Sequence, residues 1–213
     1  MSIPTLSLQS LRRSLSARLL LLTIIFVMIG EVLIYVPSVA RFRISYLEDR
    51  IAAARLAAEL EPFGTVANFE DPVLKDNLDW FRLLREKTWI PIALHLGAPA
   101  GVLAALKAEA VDYINLGGSA LQVRQSAALA EAANVPVWVQ MGGLCLGVKA
   151  AYSVHLQSTL ANATLACDEL PFTRIADVCD GSLQVEAGHF LVPEGPGLGI
   201  HVDLDVVEKY RVA

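Results

Sequence analysis

The chain has 213 residues and a formal net charge of −5, so it lacks the excess of basic residues that binding to nucleic acid phosphates requires. Its mean hydropathy of +0.50 is high for a chain without a membrane segment. There are three cysteines, Cys145, Cys167 and Cys179, which is an odd number, and no two of them form a CxxC pair. We therefore expect buried thiols rather than disulfides or a zinc site.

An apolar segment begins at Leu19 and ends at Val36, and Glu31 is its single charged residue. Its 18 residues nearly span a hydrocarbon core of ~30 Å, and arginines flank both ends. The pattern predicts a single transmembrane helix, with a cleaved signal peptide and a buried helix as the alternatives. We expect Glu31 to reach toward water or to stay protonated. The side of the membrane on which the rest of the chain lies is left open.

A second helix is predicted over Leu47–Leu60, which is rich in alanine and amphipathic. Residues 15–58 resemble the N-terminal membrane anchor of bacterial sensor histidine kinases, on the runs SARLLLLTIIFVMIGEVLIYVPSVARFR and YLEDRIAAARLAA. The resemblance implies a single-pass anchor in a bacterial inner membrane and the start of a sensor segment. Neither the phosphoacceptor histidine motif nor the glycine-rich nucleotide box of those kinases follows.

Short apolar runs then alternate with longer amphipathic runs, which predicts βα units and a parallel sheet. The predicted strands are Thr65–Glu70, Ile90–Leu94, Val111–Leu116, Val135–Gln140 and Ala163–Ala166. The predicted helices are Leu74–Thr88, Pro99–Glu109, Ser119–Ala133 and Leu146–Leu160. Asp76 or Asn77 is expected to cap the first of these helices and Ser119 the third, which Asn134 ends. A β-hairpin around Ala187-Gly188 and a polar C-terminal helix complete the prediction.

The stretch from about Leu60 to Arg211 resembles the C-terminal barrel of mandelate racemase and muconate lactonizing enzymes, in the enolase superfamily. The resemblance is carried by LEPFGTVANFEDPV, TWIPIALHLG, AVDYINLGG, ALAEAANVPVWVQ and GHFLVPEGPGLGIHVDLDVVEKY. It implies an α/β fold, namely the later half of a (β/α)8 barrel with about five βα units. We therefore expect two domains: a membrane anchor with a linker helix at 1–58, and a partial barrel at 59–213.

Enzymes that this part resembles hold Mg²⁺ with carboxylates at successive strand ends and remove the proton next to a substrate carboxylate. Glu70 falls at one of the metal positions, and His95 stands where a further acid is expected. The cofactor implied is therefore Mg²⁺ or another divalent metal. Asp71 should point away from Glu70 along an extended chain, so we expect it to form a salt bridge or a cap.

Candidates for the acid and base chemistry are few. The next strand end holds Asn115, which cannot titrate, and the following one holds Gln140, which can only form hydrogen bonds. Asp168, or Glu169 beside it, is either an acid at the mouth of the site or a cap for the next turn. Two further titratable residues nearby are expected to be structural, namely Lys149 on a solvent-facing helix surface and His155 packed inside its helix.

Three hypotheses remain open. The first is a metal-dependent racemase or dehydratase of small hydroxy acids, which requires a second chain or a homo-oligomer to cover the open sheet edges. The second is a catalytically inactive, membrane-anchored fusion or fragment. The third is a sensor-like membrane module that binds a ligand. All three place the chain at a lipid bilayer.

Overall fold

The computed structural model describes residues 15–141, 146–168, 176–179 and 183–211. The chain divides into two compact units, Met1–Ala52 and Ala53–Ala213. In the first unit the described residues are helical. The second unit carries the sheet, its helices and the hairpin.

One helix, α1, extends over Leu15–Leu60 and contains both of the helices predicted for this region. In the part of the chain that the structure describes, no helix has the length and apolarity needed to cross a membrane. The transmembrane helix predicted at Leu19–Val36 is therefore not supported, and neither is the histidine kinase anchor. The exposed carboxylate of Glu31 lies inside the apolar stretch, where hydrocarbon would penalise it. A membrane location stays a prediction from the sequence.

The second unit alternates strands and helices as the sequence predicts. Its elements are β1 (Phe69–Glu70), α2 (Leu78–Arg85), β2 (Ile92–Leu96), α3 (Pro99–Lys107), β3 (Tyr113–Leu116), α4 (Ala120–Ala132), β4 (Val137–Val139) and α5 (Gly147–Ser158). In the described residues the four strands form one parallel sheet in the order β1-β2-β3-β4. Parallel strands joined by helices on one face are the repeating unit of a barrel wall.

Local signals identify the helix caps, although α2 begins at Leu78 and not at the predicted Leu74. Asn77 caps α2 by accepting a hydrogen bond from the Asp79 N–H, and Pro99 opens α3. Ser119 caps α4 within a capping box that it shares with Gln122. Asn134 follows the end of α4 with a φ of 56°, a left-handed conformation that asparagine tolerates and that stops a helix.

The predicted fifth strand, Ala163–Ala166, is wrong for the described structure. Its segment meets β4 through two backbone hydrogen bonds, from Val137 N–H to the Asn162 carbonyl at 2.9 Å and from Leu165 N–H to the Val137 carbonyl at 3.5 Å. After a turn at 161–162, the chain runs beside β4 over too few residues to form a ladder of hydrogen bonds. The segment therefore lies beside β4 without forming a strand.

The two faces of the sheet differ in chemistry. One face packs against the helices, where Ile92, Leu94, Ile114, Leu116 and Val137 join Phe81, Val102 and Val123 in a single buried cluster. The C-terminal part of α1 contributes Ala53 to the same cluster. Because side chains alternate along a strand, the residues between these apolar ones face the opposite side. That second face carries the polar side chains of the sheet.

Asp112 connects three elements at the start of the sheet. Its Oδ2 accepts a hydrogen bond from the Ile92 N–H at 2.8 Å, and its Oδ1 accepts one from Arg85 Nε at 2.9 Å. Arg85 also donates to the Glu109 carbonyl at the end of α3. The carboxylate thus holds the first residue of β2 against α2.

Glu61 lies in a short 3-10 turn, Glu61–Phe63, that follows α1. The Thr88 hydroxyl and the Trp89 N–H donate hydrogen bonds to its carboxylate and hold the pKa of Glu61 below its usual value. This contribution to stability is present above the ordinary pKa of a glutamate and is lost as the pH falls through the lowered one.

The C-terminal region confirms the predicted hairpin, with β5 (Val185–Glu186) antiparallel to β6 (His189–Phe190). A last helix, α6 (Leu204–Lys209), begins after Asp203, whose side chain accepts from the N–H groups of Asp205 and Val206. Cys167 and Cys179 are thiols and are half-buried. Cys145 lies outside the described residues.

We predict that Asp112→Ala lowers the free energy of unfolding by about 2 kcal/mol, because it leaves the N–H of a buried strand residue without its acceptor. The measurement is urea denaturation followed by circular dichroism. Glu86→Ala is the matched control, because it removes an ion pair with Arg82 that is exposed to solvent and is worth about 0.5 kcal/mol. Equal effects of the two substitutions would contradict the anchoring role of Asp112.

Candidate metal centre

Glu70 and His95 lie at the carboxyl ends of two neighbouring parallel strands. Glu70 is the last residue of β1, and His95 is the fourth of the five residues of β2, inside the strand rather than directly after it as the sequence suggested. Glu70 pairs with Ala93, two residues before His95, so both side chains project from the polar face of the sheet. Carboxyl ends of parallel strands are where α/β folds gather polar side chains.

Glu70, Asp71 and His95 each bring one potential ligand atom within 4.8 Å of the others. Opposite ligands of a cation with bonds of about 2.1 Å lie about 4.2 Å apart, so a small inward movement of the side chains would suffice. Glu70 is exposed, whereas Asp71 and His95 are half-buried. The described residues therefore bring together both metal-site residues predicted from the sequence, together with a third.

The third residue, Asp71, departs from the expectation of an extended chain. Its φ of 47° breaks the alternation of side chains directly after β1 and turns its carboxylate back toward Glu70. The predicted salt bridge is confirmed, because Lys75 Nζ lies 2.6 Å from Asp71 Oδ2. Asp71 Oδ1 also accepts a hydrogen bond from the His95 N–H at 3.1 Å. Both oxygens of Asp71 are thus already engaged by the chain.

Lys75 contacts both Asp71 and His95 from the solvent side of the site. Its ammonium group donates to the His95 carbonyl at 3.1 Å in addition to its ion pair with Asp71. A cation that binds Asp71 must therefore share that carboxylate with an ammonium group already present.

Asn115 is a site residue to which the sequence analysis gave no role. It lies on β3 opposite His95, is 1% exposed, and its Nδ2 donates to Glu70 Oε1 at 2.8 Å. The contact crosses β2, where Ala93 is buried and its small side chain leaves the space open. The Asn115 Oδ1 is buried and has no hydrogen-bond partner. An asparagine inside an otherwise apolar strand was the sequence signal for this residue.

His95 and Gln140 approach each other above Gly117. A Cβ built on Gly117 would lie 2.8 Å from His95 Nε2 and 3.3 Å from Gln140 Oε1. Gln140 follows β4, and its N–H donates to the Leu116 carbonyl, which continues the register of the sheet by one residue. The imidazole of His95 can therefore occupy its position only because residue 117 has no side chain.

Asp168 lies at the same edge of the sheet, beyond β4. It is half-buried, and its Oδ1 accepts a hydrogen bond from the Met141 N–H at 2.9 Å. This contact fixes the carboxylate beside Gln140 and engages one of its two oxygens. Glu169, the alternative acid, lies outside the described residues.

The two remaining titratable candidates are arranged as expected. Lys149 is exposed on α5, and His155 is half-buried on the same helix, with its Nε2 3.1 Å from the Leu198 carbonyl.

A cavity of about 540 Å³ lies under the end of α5 and is lined by residues that include Met141, Cys167 and Phe190. None of the three clustered ligand residues lines it, so this cavity is not the candidate metal centre.

The donor set fits a divalent cation. The carboxylates of Glu70 and Asp71 converge with the imidazole of His95. Asn115 donates its amide nitrogen to Glu70, and its amide oxygen has no hydrogen-bond partner. A buried oxygen without a partner costs free energy, and a bound cation would relieve that cost.

Comparison with known proteins gives a consistent result. A family model described as enolase C-terminal domain-like matches residues 45–206. A D-xylonate dehydratase from Haloferax volcanii is 31% identical over 169 residues, which cover 76% of this chain and 40% of that protein. An N-succinylamino acid racemase from Thermus thermophilus is 36% identical over 151 residues, which cover 66% of this chain and 40% of that protein.

Among solved structures, the 3,6-anhydro-D-galactonate cycloisomerase from Zobellia galactanivorans is similar with a TM-score of 0.66 and 30% sequence identity. The similarity covers 76% of this chain and 47% of that structure. The chain thus spans less than half the length of these relatives.

We predict that Gly117→Ala weakens divalent-metal binding about tenfold, because the new methyl group would displace the imidazole of His95. Isothermal titration of the full chain with Mn²⁺ measures the affinity. Gly97→Ala is the matched control, since nothing lies within 4 Å of a Cβ at that position. Unchanged binding in Gly117→Ala, with the fold intact, would show that His95 is not a ligand.

Proposed function

Because the chain belongs to the enolase C-terminal domain-like family, we propose that its second unit takes part in the divalent-metal-dependent removal of a proton from the carbon next to a carboxylate. The observation that carries the proposal is the convergence of Glu70, Asp71 and His95 at the carboxyl ends of β1 and β2. The substrate class is a small hydroxy acid, and the reaction is a dehydration or a racemisation.

The need for the cation follows from the acidity of the substrate. A proton next to a carboxylate is very weakly acidic, and its loss leaves two negative charges on adjacent oxygens. A divalent cation at this site would supply the positive charge that stabilises the resulting enediolate. In this proposal Glu70 and His95 hold the cation, and the hydrogen bond from the Asn115 amide positions Glu70 before the cation binds.

We assign the proton transfer to Asp168. Its Oδ1 is held by the Met141 N–H, which fixes the direction of the second oxygen. The C–H bond of the substrate breaks, the proton passes to that oxygen, and the electron pair remains in the enediolate. Gln140, which precedes Met141 and approaches His95 above Gly117, would donate its amide N–H to a substrate oxygen. Dehydration would continue by loss of a β-hydroxyl, whereas racemisation needs a proton donor on the opposite face.

A further polypeptide segment would complete the site. The Phe69 N–H donates to the Pro91 carbonyl just before β2, and the Asp71 N–H donates to the Ala93 carbonyl of β2. The Glu70 N–H between them therefore faces the outer edge of β1. We propose that another strand pairs with this edge, supplied by a second copy or by another chain. An inactive form of the protein remains the alternative, in which the metal binds but no proton is exchanged.

The test is exchange of the α-proton for deuterium. We predict that the full chain, with Mg²⁺ or Mn²⁺ in deuterated water, incorporates deuterium at C2 of one or more members of a panel of aldonic acids and smaller 2-hydroxy acids. Proton NMR follows the loss of the C2 signal. Asp168→Asn should abolish exchange and leave metal binding unchanged, because the amide oxygen can still accept from Met141.

Two controls make the result specific. Glu70→Gln should abolish both exchange and metal binding, whereas Asp205→Asn and Glu186→Gln remove exposed carboxylates from α6 and β5 and should change neither. Metal binding without exchange on any acid would favour the inactive alternative. Metal binding that is unchanged in Glu70→Gln would contradict the proposed site.

A further inference from the structure

The candidate metal centre is not an all-oxygen site. Mg²⁺ is a hard cation that is bound by carboxylates, carbonyls and water, whereas an imidazole nitrogen suits transition-metal ions. His95 places a nitrogen among the three clustered ligand atoms, directly after the fully buried residues Ile92, Ala93 and Leu94 of β2. Because the backbone of β2 is paired with β1 and with β3, the Cα of His95 has a fixed place beside Glu70.

Because Asp71 is already engaged by other groups of the chain, metal binding depends more strongly on His95. Its two oxygens already accept from Lys75 and from the His95 N–H. A cation therefore gains less from Asp71 than from an unengaged carboxylate. The remaining protein ligands are one carboxylate, from Glu70, and the imidazole.

Asn115 supplies an independent observation that points to a ligand. Its side chain is 1% exposed, its amide nitrogen contacts Glu70, and its amide oxygen is buried without a partner. A half-turn about χ2 would exchange the two atoms and bring the oxygen beside the Glu70 carboxylate. Two oxygens in that position repel each other unless a cation lies between them.

We propose that this site selects a transition-metal divalent cation, such as Co²⁺ or Zn²⁺, over Mg²⁺, with Glu70, His95 and the amide oxygen of Asn115 as its protein ligands. The inference rests on the proposed function for the existence of the metal site and adds the identity of the metal. His95 is the residue that determines the selectivity. Asn115 changes from a donor to Glu70 in the metal-free site to a ligand in the loaded one.

The experiment is a competition titration on the full chain. Co²⁺ is bound first, its visible absorption is recorded, and Mg²⁺ is added. In the wild type we expect a 100-fold excess of Mg²⁺ to leave the Co²⁺ spectrum unchanged. In His95→Asp, which converts the imidazole to a carboxylate, we expect the spectrum to shift and the ratio of Co²⁺ to Mg²⁺ affinity to fall at least tenfold.

Control variants separate ligation from general damage. His201→Asp replaces an exposed histidine outside the cluster and should leave both spectrum and affinity ratio unchanged. Asn115→Leu should weaken Co²⁺ binding at least tenfold, and Asn115→Asp, which keeps an oxygen in place, should restore it. Circular dichroism and urea denaturation establish that each variant is folded.

The outcomes distinguish this inference from the proposed function. If Mg²⁺ displaces Co²⁺ from the wild type at equal concentrations, or if His95→Asp leaves the affinity ratio unchanged, the selectivity is wrong while the proposed function stands. If neither metal binds the wild type, both fail. Loss of binding in Asn115→Leu without rescue by Asn115→Asp would overturn the role of Asn115 as a ligand.

Discussion

The hydrogen bond from Asn115 to Glu70 is the constraint that arranges the candidate site in its metal-free form. It spans three strands, because Asn115 lies on β3, Glu70 on β1, and Ala93 of β2 lies between them. Strand pairing aligns the two ends, and the small side chain of Ala93 leaves room for the contact. One face of the sheet packs against helices with apolar side chains, so the polar ones collect on the other face.

The sequence was sufficient for those parts of the fold that local chemistry decides. Alternating apolar and amphipathic runs predicted the four βα pairs, and the caps Asn77 and Ser119 marked the helix starts. Two predictions failed because they depend on context that a window of residues does not contain. Ala163–Ala166 resembles a strand in sequence, but the segment around it meets β4 through two backbone hydrogen bonds. For the apolar start of α1, no helix among the described residues is long and apolar enough to span a membrane.

The candidate site shows the same division. Glu70 and His95 were predicted as metal ligands from the resemblance to the enolase superfamily, together with their places at strand ends. Asp71 was expected to point away from Glu70, because side chains alternate along an extended strand. Its positive φ, which the turn after β1 imposes, breaks that alternation and cannot be read from it. Asn115 was missed because its role arises from a partner 45 positions away in the sequence. A buried polar residue in an apolar strand is the general signal that could have revealed it.

Anomalous X-ray diffraction is the direct test of whether the carboxyl ends of β1 and β2 bind a divalent cation. Crystals of the full chain soaked with Co²⁺ would be measured on both sides of the cobalt absorption edge. We expect an anomalous peak about 2.1 Å from a Glu70 oxygen and from a ring nitrogen of His95. A peak confined to other histidines, such as His189 or His201, or no peak at all, would contradict it.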